Sequence, residues 1–268
     1  MYYFLRFVHF YKRLPGNEKK FSDFLYQIKI GKSLRQPLLR QVTSKLGGKA
    51  FIRSRIGSKN LVKTIKILST DDDIDKFTPK QFPIFIKPNH SSGRFFKINA
   101  LSEYHALKVT FKQFLLHDYF SHTLEENYYT IPKKVIVEEY IDPEYYLEGS
   151  AHCLKGKIKI ISLIDRFDKD KKRESYDVSM KPLGFAIGNP YRKMNLDKHQ
   201  LFFIPKLKKS ILELCKDFYY IRVDFYASNY KFLFGELTSL PAGGNLVIYP
   251  KTKEKLLDHV FFSKTHKR

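Results

Sequence analysis

Cysteine is nearly absent from these 268 residues: there are two, Cys153 and Cys215, in no C-x-x-C or other metal spacing. That scarcity excludes a disulfide framework and a zinc site, and it points to a reducing compartment. Long apolar runs are missing as well. The opening stretch from Met1 to Leu14 is broken by Arg6, His9, Lys12 and Arg13, so it reads neither as a spanning helix nor as a clean signal peptide. It reads instead as an aromatic-faced helix lying on the protein or on a membrane surface. Acidic residues are outnumbered, 27 against 49 Lys and Arg, for a formal charge of +22. Such an excess implies an anionic partner: nucleotide, acidic polysaccharide, nucleic acid or membrane surface. Lysines are scattered over the whole length and no recognition motif is present, which argues against specific nucleic-acid binding. With 43% hydrophobic and 16% aromatic residues, the chain has the material for a full core in one or two domains and is not disordered.

Residues 1–43 carry two weakly helical patterns separated by a turn at Pro15 and Gly16, and no chemistry is assigned to them. Ser44 to Gly57 reads as a basic helix in which Gly47 and Gly48 each weaken an isolated helix by about 1 kcal/mol. The acidic run Asp71, Asp72, Asp73 and Asp75 lacks the glycine and spaced ligands of a calcium loop, so it reads as a helix N-terminus. Phe82 to Lys97 is strand, polar loop, strand. Lys87 at the strand end, followed by Asn89, His90, Ser91, Ser92 and Gly93, can set an ammonium and a row of backbone N–H groups around phosphate oxygens, with Arg94 as a further cation. After a helical stretch from Leu101 to Phe120, the strand Lys134 to Ile141 ends in Glu138 and Glu139, only one of which can face a ligand. Further strands turn at residues 155–157, and Leu207 to Asp217 reads as an amphipathic helix.

That helix feeds the stretch Tyr220 to Pro241, two aromatic and β-branched strands joined at Ser228, Asn229 and Tyr230. Arg222 and Asp224 share one face of the first strand, and Glu236 and Thr238 share one face of the second. A three-residue connection brings Arg222 opposite Glu236 with Asp224 close by; an even connection would separate the pairs. Two carboxylates and a guanidinium between apolar strands form either a buried salt bridge or a site for a hard cation shared with substrate phosphates.

R-x-D on one strand followed by G-E-L-T-x-x-P on the next resembles the metal-binding end of the ATP-grasp enzymes, specifically the TupA-like branch of teichuronopeptide biosynthesis. The resemblance covers roughly residues 44–250, with its motifs in the family's order. It implies an α+β ATP-grasp fold in which nucleotide lies between two antiparallel sheets. The expected division is an N-terminal helical segment at 1–43, a basic helix and first subdomain at 44–140, and a second subdomain at 141–268. The cofactors implied are ATP and Mg²⁺. Asp224, Glu236 and Thr238 fall at the metal positions, Thr238 standing where most ATP-grasp enzymes have Asn. Lys87 and Arg222 would act on the phosphates as catalytic residues. Lys45 and Lys49 match a Lys and an Arg of the family's basic segment, with Ser44 in place of its Asp. Lys87, Asn89, His90, Ser91, Ser92 and Gly93 match the flap over ATP.

By the same resemblance Glu138 would bind adenine at the hinge and Glu148 the ribose, with Ser150 where the family has Lys. Arg166 and Arg173 fall in its Asp-Arg-Phe and Tyr-Asp segment. The Pro-Gly-rich stretch through Asn245 would help enclose the site. The implied reaction is ATP-dependent ligation of a carboxylate to an amine through an acyl phosphate. Its substrates would be an acidic sugar or polysaccharide carboxylate and an amine donor, used in the cytoplasm or at the inner face of the membrane, with peripheral membrane association. Two other readings remain open: a phosphotransferase on the same scaffold, and a glycan-binding protein with a decayed ATP site.

Overall fold

A computed structural model describes residues 1–16, 19–194, 196, 204–228 and 231–263. The chain opens with helices α1 (Tyr2–Tyr11), α2 (Phe21–Ile30), α3 (Pro37–Thr43) and α4 (Lys45–Ile56). Strand β1 (Thr64–Leu68), helix α5 (Asp71–Lys76) and strands β2 (Ile84–Pro88) and β3 (Phe96–Ile98) follow, then α6 (Leu101–Leu116), the short α7 (Tyr119–Thr123) and β4 (Val135–Glu139). Strands β5 (Leu147–Leu154), β6 (Lys157–Ile164), β7 (Arg173–Tyr176) and β8 (Ala186–Ile187) lead to α8 (Ile204–Cys215). Strands β9 (Tyr220–Ala227), β10 (Phe232–Thr238) and β11 (Ile248–Tyr249) precede α9 (Glu254–Phe262). The basic C-terminal residues 264–268 lie outside the described residues. No described helix is long and apolar enough to cross a membrane.

Two antiparallel sheets dominate, ordered β1-β4-β2-β3 and β10-β9-β5-β6-β7, so the architecture is α+β. Strand alternation sorts the first sheet. Ile84, Ile86, Val135 and Val137 point to a core closed by Ile74 of α5 and Tyr104 and Phe111 of α6, which leaves Lys87 and Glu138 on the opposite face. The acidic run is a helix start: Thr70 and Asp73 form a reciprocal capping box on α5. In the second sheet Ala151, Val223, Phe225, Phe234 and Leu237 face a core shared with α8 and α4. Both cysteines are buried and free, and both sit in that core.

The other face of the second sheet is divided. At one end Leu154, Ile160 and Tyr220 are covered by Phe21, Phe24 and Leu25 of α2 and Phe261 of α9. Beyond them a polar row is left for chemistry. The sequence groups α4 with the first sheet, but its Phe51 and Ile52 belong to the core of the second. A helix shows each neighbour a different stripe, and α4 turns Lys45 and Lys49 toward the first sheet.

The two glycines of α4 have a packing reason. A β-carbon at Gly48 would stand 2.9 Å from the Val42 carbonyl oxygen, and one at Gly47 would collide with that of Gln41. Their absence of side chains lets α3 and the first turn of α4 meet backbone to backbone. Helix propensity alone would favour Gly47→Ala by about 1 kcal/mol, whereas overpacking costs about 1–3 kcal/mol. Urea unfolding of the Gly47→Ala protein is expected to show a net loss of about 1–2 kcal/mol.

Candidate active site

The hairpin β9–β10 gathers the acidic half of the site. Glu236 pairs with Asp224 and Thr238 with Arg222, not Arg222 with Glu236 as the three-residue connection predicts. The ladder beside the turn pairs Phe232 with Ala227, a register for an even connection, and Ser228 N donates to Lys231 O at 2.8 Å; Asn229 and Tyr230 lie outside the described residues. An even connection would have sent the polar pairs to opposite faces. A bulge between Phe234 and Glu236 adds one residue, Gly235, and restores them to a common face.

Arg222 grips Asp224 through both carboxylate oxygens, at 2.6 and 2.5 Å, and reaches Thr238 Oγ1 at 3.2 Å. The Thr238 hydroxyl donates to Asp224 Oδ2 at 3.1 Å, and Glu236 Oε1 stands 4.0 Å from Arg222 Nη2. Burial pushes the Asp224 carboxyl up to about 6 against the pull of Arg222, with Glu236 adding to the rise. Burial also pushes Glu236 upward, but Lys45, Lys87 and Arg222 outweigh it and hold this carboxyl below its ordinary value. Two carboxylates and a hydroxyl on adjacent strands fit a hard cation that takes its remaining ligands from phosphate and water. Among the described residues no group of three or more His, Cys, Asp or Glu converges on a metal position, so the protein's carboxylate share would be these two.

The basic half comes from α4 and the first sheet. Lys45 and Lys49, one helical turn apart, are both buried. Lys45 Nζ donates to the Ser91 carbonyl, and Lys49 Nζ donates to Val62 O at 2.7 Å and Thr64 Oγ1 at 2.9 Å. Lys87 Nζ lies 2.6 Å from Glu138 Oε2, while Lys49 forms an ion pair with Oε1 rather than a well-directed hydrogen bond. Glu138 is only 2% exposed. Burial alone would raise its carboxyl, but Lys87 and Lys49 hold it below the usual range. Both of its oxygens face cations, so in this structure Glu138 is the counter-charge of the lysine cluster rather than a free acceptor for an adenine amine.

Three of the flap residues form its foot. Asn89 Oδ1 accepts from Ser44 Oγ and from Leu46 N, both at 3.0 Å, and its Nδ2 donates to Pro132 O at 2.9 Å. Ser44 in turn caps α4 by accepting from Gly47 N. Asn89 therefore anchors this loop to the helix that carries Lys45, and both ends of its amide are engaged by protein partners. His90 is buried with Nε2 3.0 Å from His117 O, and burial lowers its pKa. Ser91 is fully buried and presents its carbonyl to Lys45. Ser92 and Gly93 form the exposed tip. Gly93 has φ +72, where a side chain would be strained.

Along the second sheet, register aligns Glu148 with Tyr226 and Ile164, and Ile164 with Arg173. Glu148 is paired with Arg166, which leaves Arg173 at the end of the row with a buried Nε lacking a hydrogen-bond partner among the described residues. Sequence reasoning missed several neighbours of these groups. His152 lies opposite Arg222, and its Nδ1 is 3.0 Å from the Tyr220 hydroxyl; alternation from Glu148 through Ser150 to His152 was the available signal. Burial, with Arg222 adding, pushes His152 down to about 3, so it is neutral. Tyr119 and Tyr128 lie against Ser92, and no local pattern marks them.

The model of the TupA-like ATPgrasp family matches residues 26–262 of this chain. Among curated proteins, none matches the sequence at a significant level. A D-alanine–D-alanine ligase from Bacillus anthracis, solved with ATP, superposes with a TM-score of 0.46 at 17% identity, over 75% of this chain and 54% of that one. An L-amino acid ligase from Bacillus licheniformis superposes with a TM-score of 0.49 at 11% identity, over 84% and 50%. The chain thus spans about half the length of these structures.

Lys45 supplies a pH test. Burial pushes its ammonium down to about 8, Lys87 adding to the fall while Glu236 and Glu138 oppose it. A phosphate arriving beside it favours the charged form, so affinity for Mg·ATP is expected to fall as pH rises from about 7 to 9, with proton uptake on binding. Titration calorimetry in buffers of different ionisation heat measures that uptake, and Lys45→Met is expected to abolish it.

Proposed function

The chain belongs to the TupA-like ATP-grasp family, and from that premise we propose that it is an ATP-dependent ligase joining a carboxylate to an amine through an acyl phosphate. The observation that carries this reading is the meeting of two charged half-sites: Asp224, Glu236 and Arg222 on one sheet, and Lys45, Lys49 and Lys87 before the other, with Glu236 near enough to Lys45 and Lys87 for both to lower its pKa. A polyphosphate lying between them would meet ammonium groups, and the cation that accompanies it would meet carboxylates.

Mg²⁺ bound with ATP would supply charge neutralisation on the phosphate oxygens, held on the protein's side by Asp224 and Glu236 with Thr238 beside them. The chain's own part is positioning. Lys87 and Lys45 would orient the phosphates, and Arg222, fixed by Asp224, would face the transferring group. The substrate carboxylate oxygen attacks the γ-phosphorus and ADP leaves. The amine then attacks the acyl carbon, inorganic phosphate departs and an amide remains. Ser92 and Gly93 at the exposed flap tip suit a cover that excludes water during the transfer.

An acidic sugar or polysaccharide unit as the carboxylate, and an amino acid or peptide as the amine, agree with the family's role in attaching peptides to acidic glycans and with the charge of +22. Mg·ATP is expected to bind the intact protein, and the Asp224→Asn, Glu236→Gln double variant to lose the metal dependence of that binding. With a uronic acid and an amino acid present, ADP, phosphate and an amide should appear in equal amounts. A stable phosphorylated sugar without amide would instead identify a phosphotransferase, and failure to bind Mg·ATP would remove the catalytic reading.

A further inference from the structure

Resting on the ligase reading, we propose that the outer face of α1 and Asn245 form a subsite that holds an acidic sugar unit of the acceptor, remote from its reacting carboxylate. A cavity of about 310 Å³ opens there, lined by Tyr2, Leu5, Arg6, His9, Phe10 and Asn245. The helix is fastened from behind. Phe7 is buried, the Tyr11 hydroxyl donates to Leu246 O at 2.9 Å, and the Tyr3 hydroxyl donates to Leu124 O. What α1 turns outward is unusual for a surface: Tyr2 is 43% exposed, Leu5 56% and Phe10 41%, around a guanidinium and an imidazole.

These groups suit one kind of ligand. Aromatic rings accept the C–H face of a sugar, a guanidinium takes a carboxylate, and an amide and an imidazole serve hydroxyls. Arg6 is pre-oriented: its Nη1 donates to Tyr2 Oη at 3.0 Å, with the guanidinium carbon 5.5 Å from the Tyr2 ring centre. The cavity is also joined to the reaction site. Asn245 follows a 3₁₀ turn, Pro241–Gly244, that continues the metal hairpin beyond Thr238. Lys29 Nζ holds that turn through Gly243 O at 2.6 Å, and Glu125 lies beside the same glycine. Arg6 acts electrostatically on both Lys29 and Glu125, and Tyr128 feels Glu125 and Glu236 together. Charged groups thus run from the cavity to the turn that follows the hairpin. Binding a remote unit there would position the reacting one, the use to which enzymes put distant binding energy. An anionic bilayer would also find aromatic and basic side chains on α1, but a flat interface has no use for a concave floor capped by Asn245.

The test titrates a defined tetragalacturonate into the full chain, with and without a non-hydrolysable Mg·ATP analogue, against neutral maltotetraose. The intact protein is expected to bind the uronate and ignore the neutral sugar. Arg6→Ala and Phe10→Ala should each weaken uronate binding about tenfold, while Lys66→Ala on the edge of the other sheet changes it less than about twofold and all three retain Mg·ATP affinity. The subsite is overturned if a protein that binds Mg·ATP ignores the uronate, or if Lys66→Ala costs as much as Arg6→Ala. It is equally overturned if Arg6→Ala and Phe10→Ala instead abolish binding to phosphatidylglycerol vesicles while uronate binding is unchanged. Failure of the intact protein to bind Mg·ATP would sink the ligase reading separately, because one arm of the uronate titration contains no nucleotide.

Discussion

One buried carboxylate between two ammonium groups holds the site in shape. Glu138 sits on a strand of the first sheet, and Lys87 reaches it from the neighbouring strand. Lys49 reaches it from α4, whose apolar stripe is embedded in the core of the second sheet. The ion triad therefore ties together two parts of the fold with separate cores. An isolated carboxylate buried this deeply would cost several kcal/mol, and either lysine without it would face a comparable penalty. Each charge is tolerable only because the others are present. With Lys45 nearby, three lysines stand against one glutamate, and the surplus of positive charge is what an anionic ligand would neutralise.

The opposite half-site obeys the same rule with the sign reversed. Asp224 and Glu236 face each other on adjacent strands, and Arg222 and Thr238 occupy Asp224 through three hydrogen-bonding contacts. The acidic half is compensated by its own arginine, the basic half by its own glutamate. Neither is left as a bare cluster of like charge, yet each keeps a surplus toward the other. That arrangement balances its charges without ligand and would suit one that carries phosphates together with a cation.

Around this frame, several residues named by motif turn out to support the site rather than face it. Asn89 lies in the flap motif, but its amide closes the N-terminus of α4 with Ser44 and Leu46. The serine where the family has an aspartate is the helix cap. Nothing local in the sequence indicates the role of Asn89, because its partners are more than forty positions away and meet it only when the strand end and the helix start are packed together. The glycine pair of α4 carries the same lesson. Propensity reads it as a weak spot, while packing makes it the contact that lets α3 lie against the helix.

The sequence by itself determined what short-range periodicity controls. Alternation along a strand put Arg222 with Asp224, and Glu236 with Thr238; the order of the motifs identified the family; the acidic run Asp71 to Asp75, without the glycine and spaced ligands of a calcium loop, marked a helix start. Only the tertiary structure decided how those pieces face one another. The register of β9 against β10 turns on one unpaired residue, Gly235, which shifts every partner by one and leaves no trace in the period of either strand. Whether Glu138 meets Lys49 as well as Lys87 depends on where α4 is carried, and that is set by an apolar stripe docking on a distant sheet. The N-terminal helix, to which its residues assign no chemistry, gains a cavity because a turn from the far end of the chain lies against it. Periodicity describes a segment against itself, whereas register, docking and clefts depend on contacts between segments far apart in the chain.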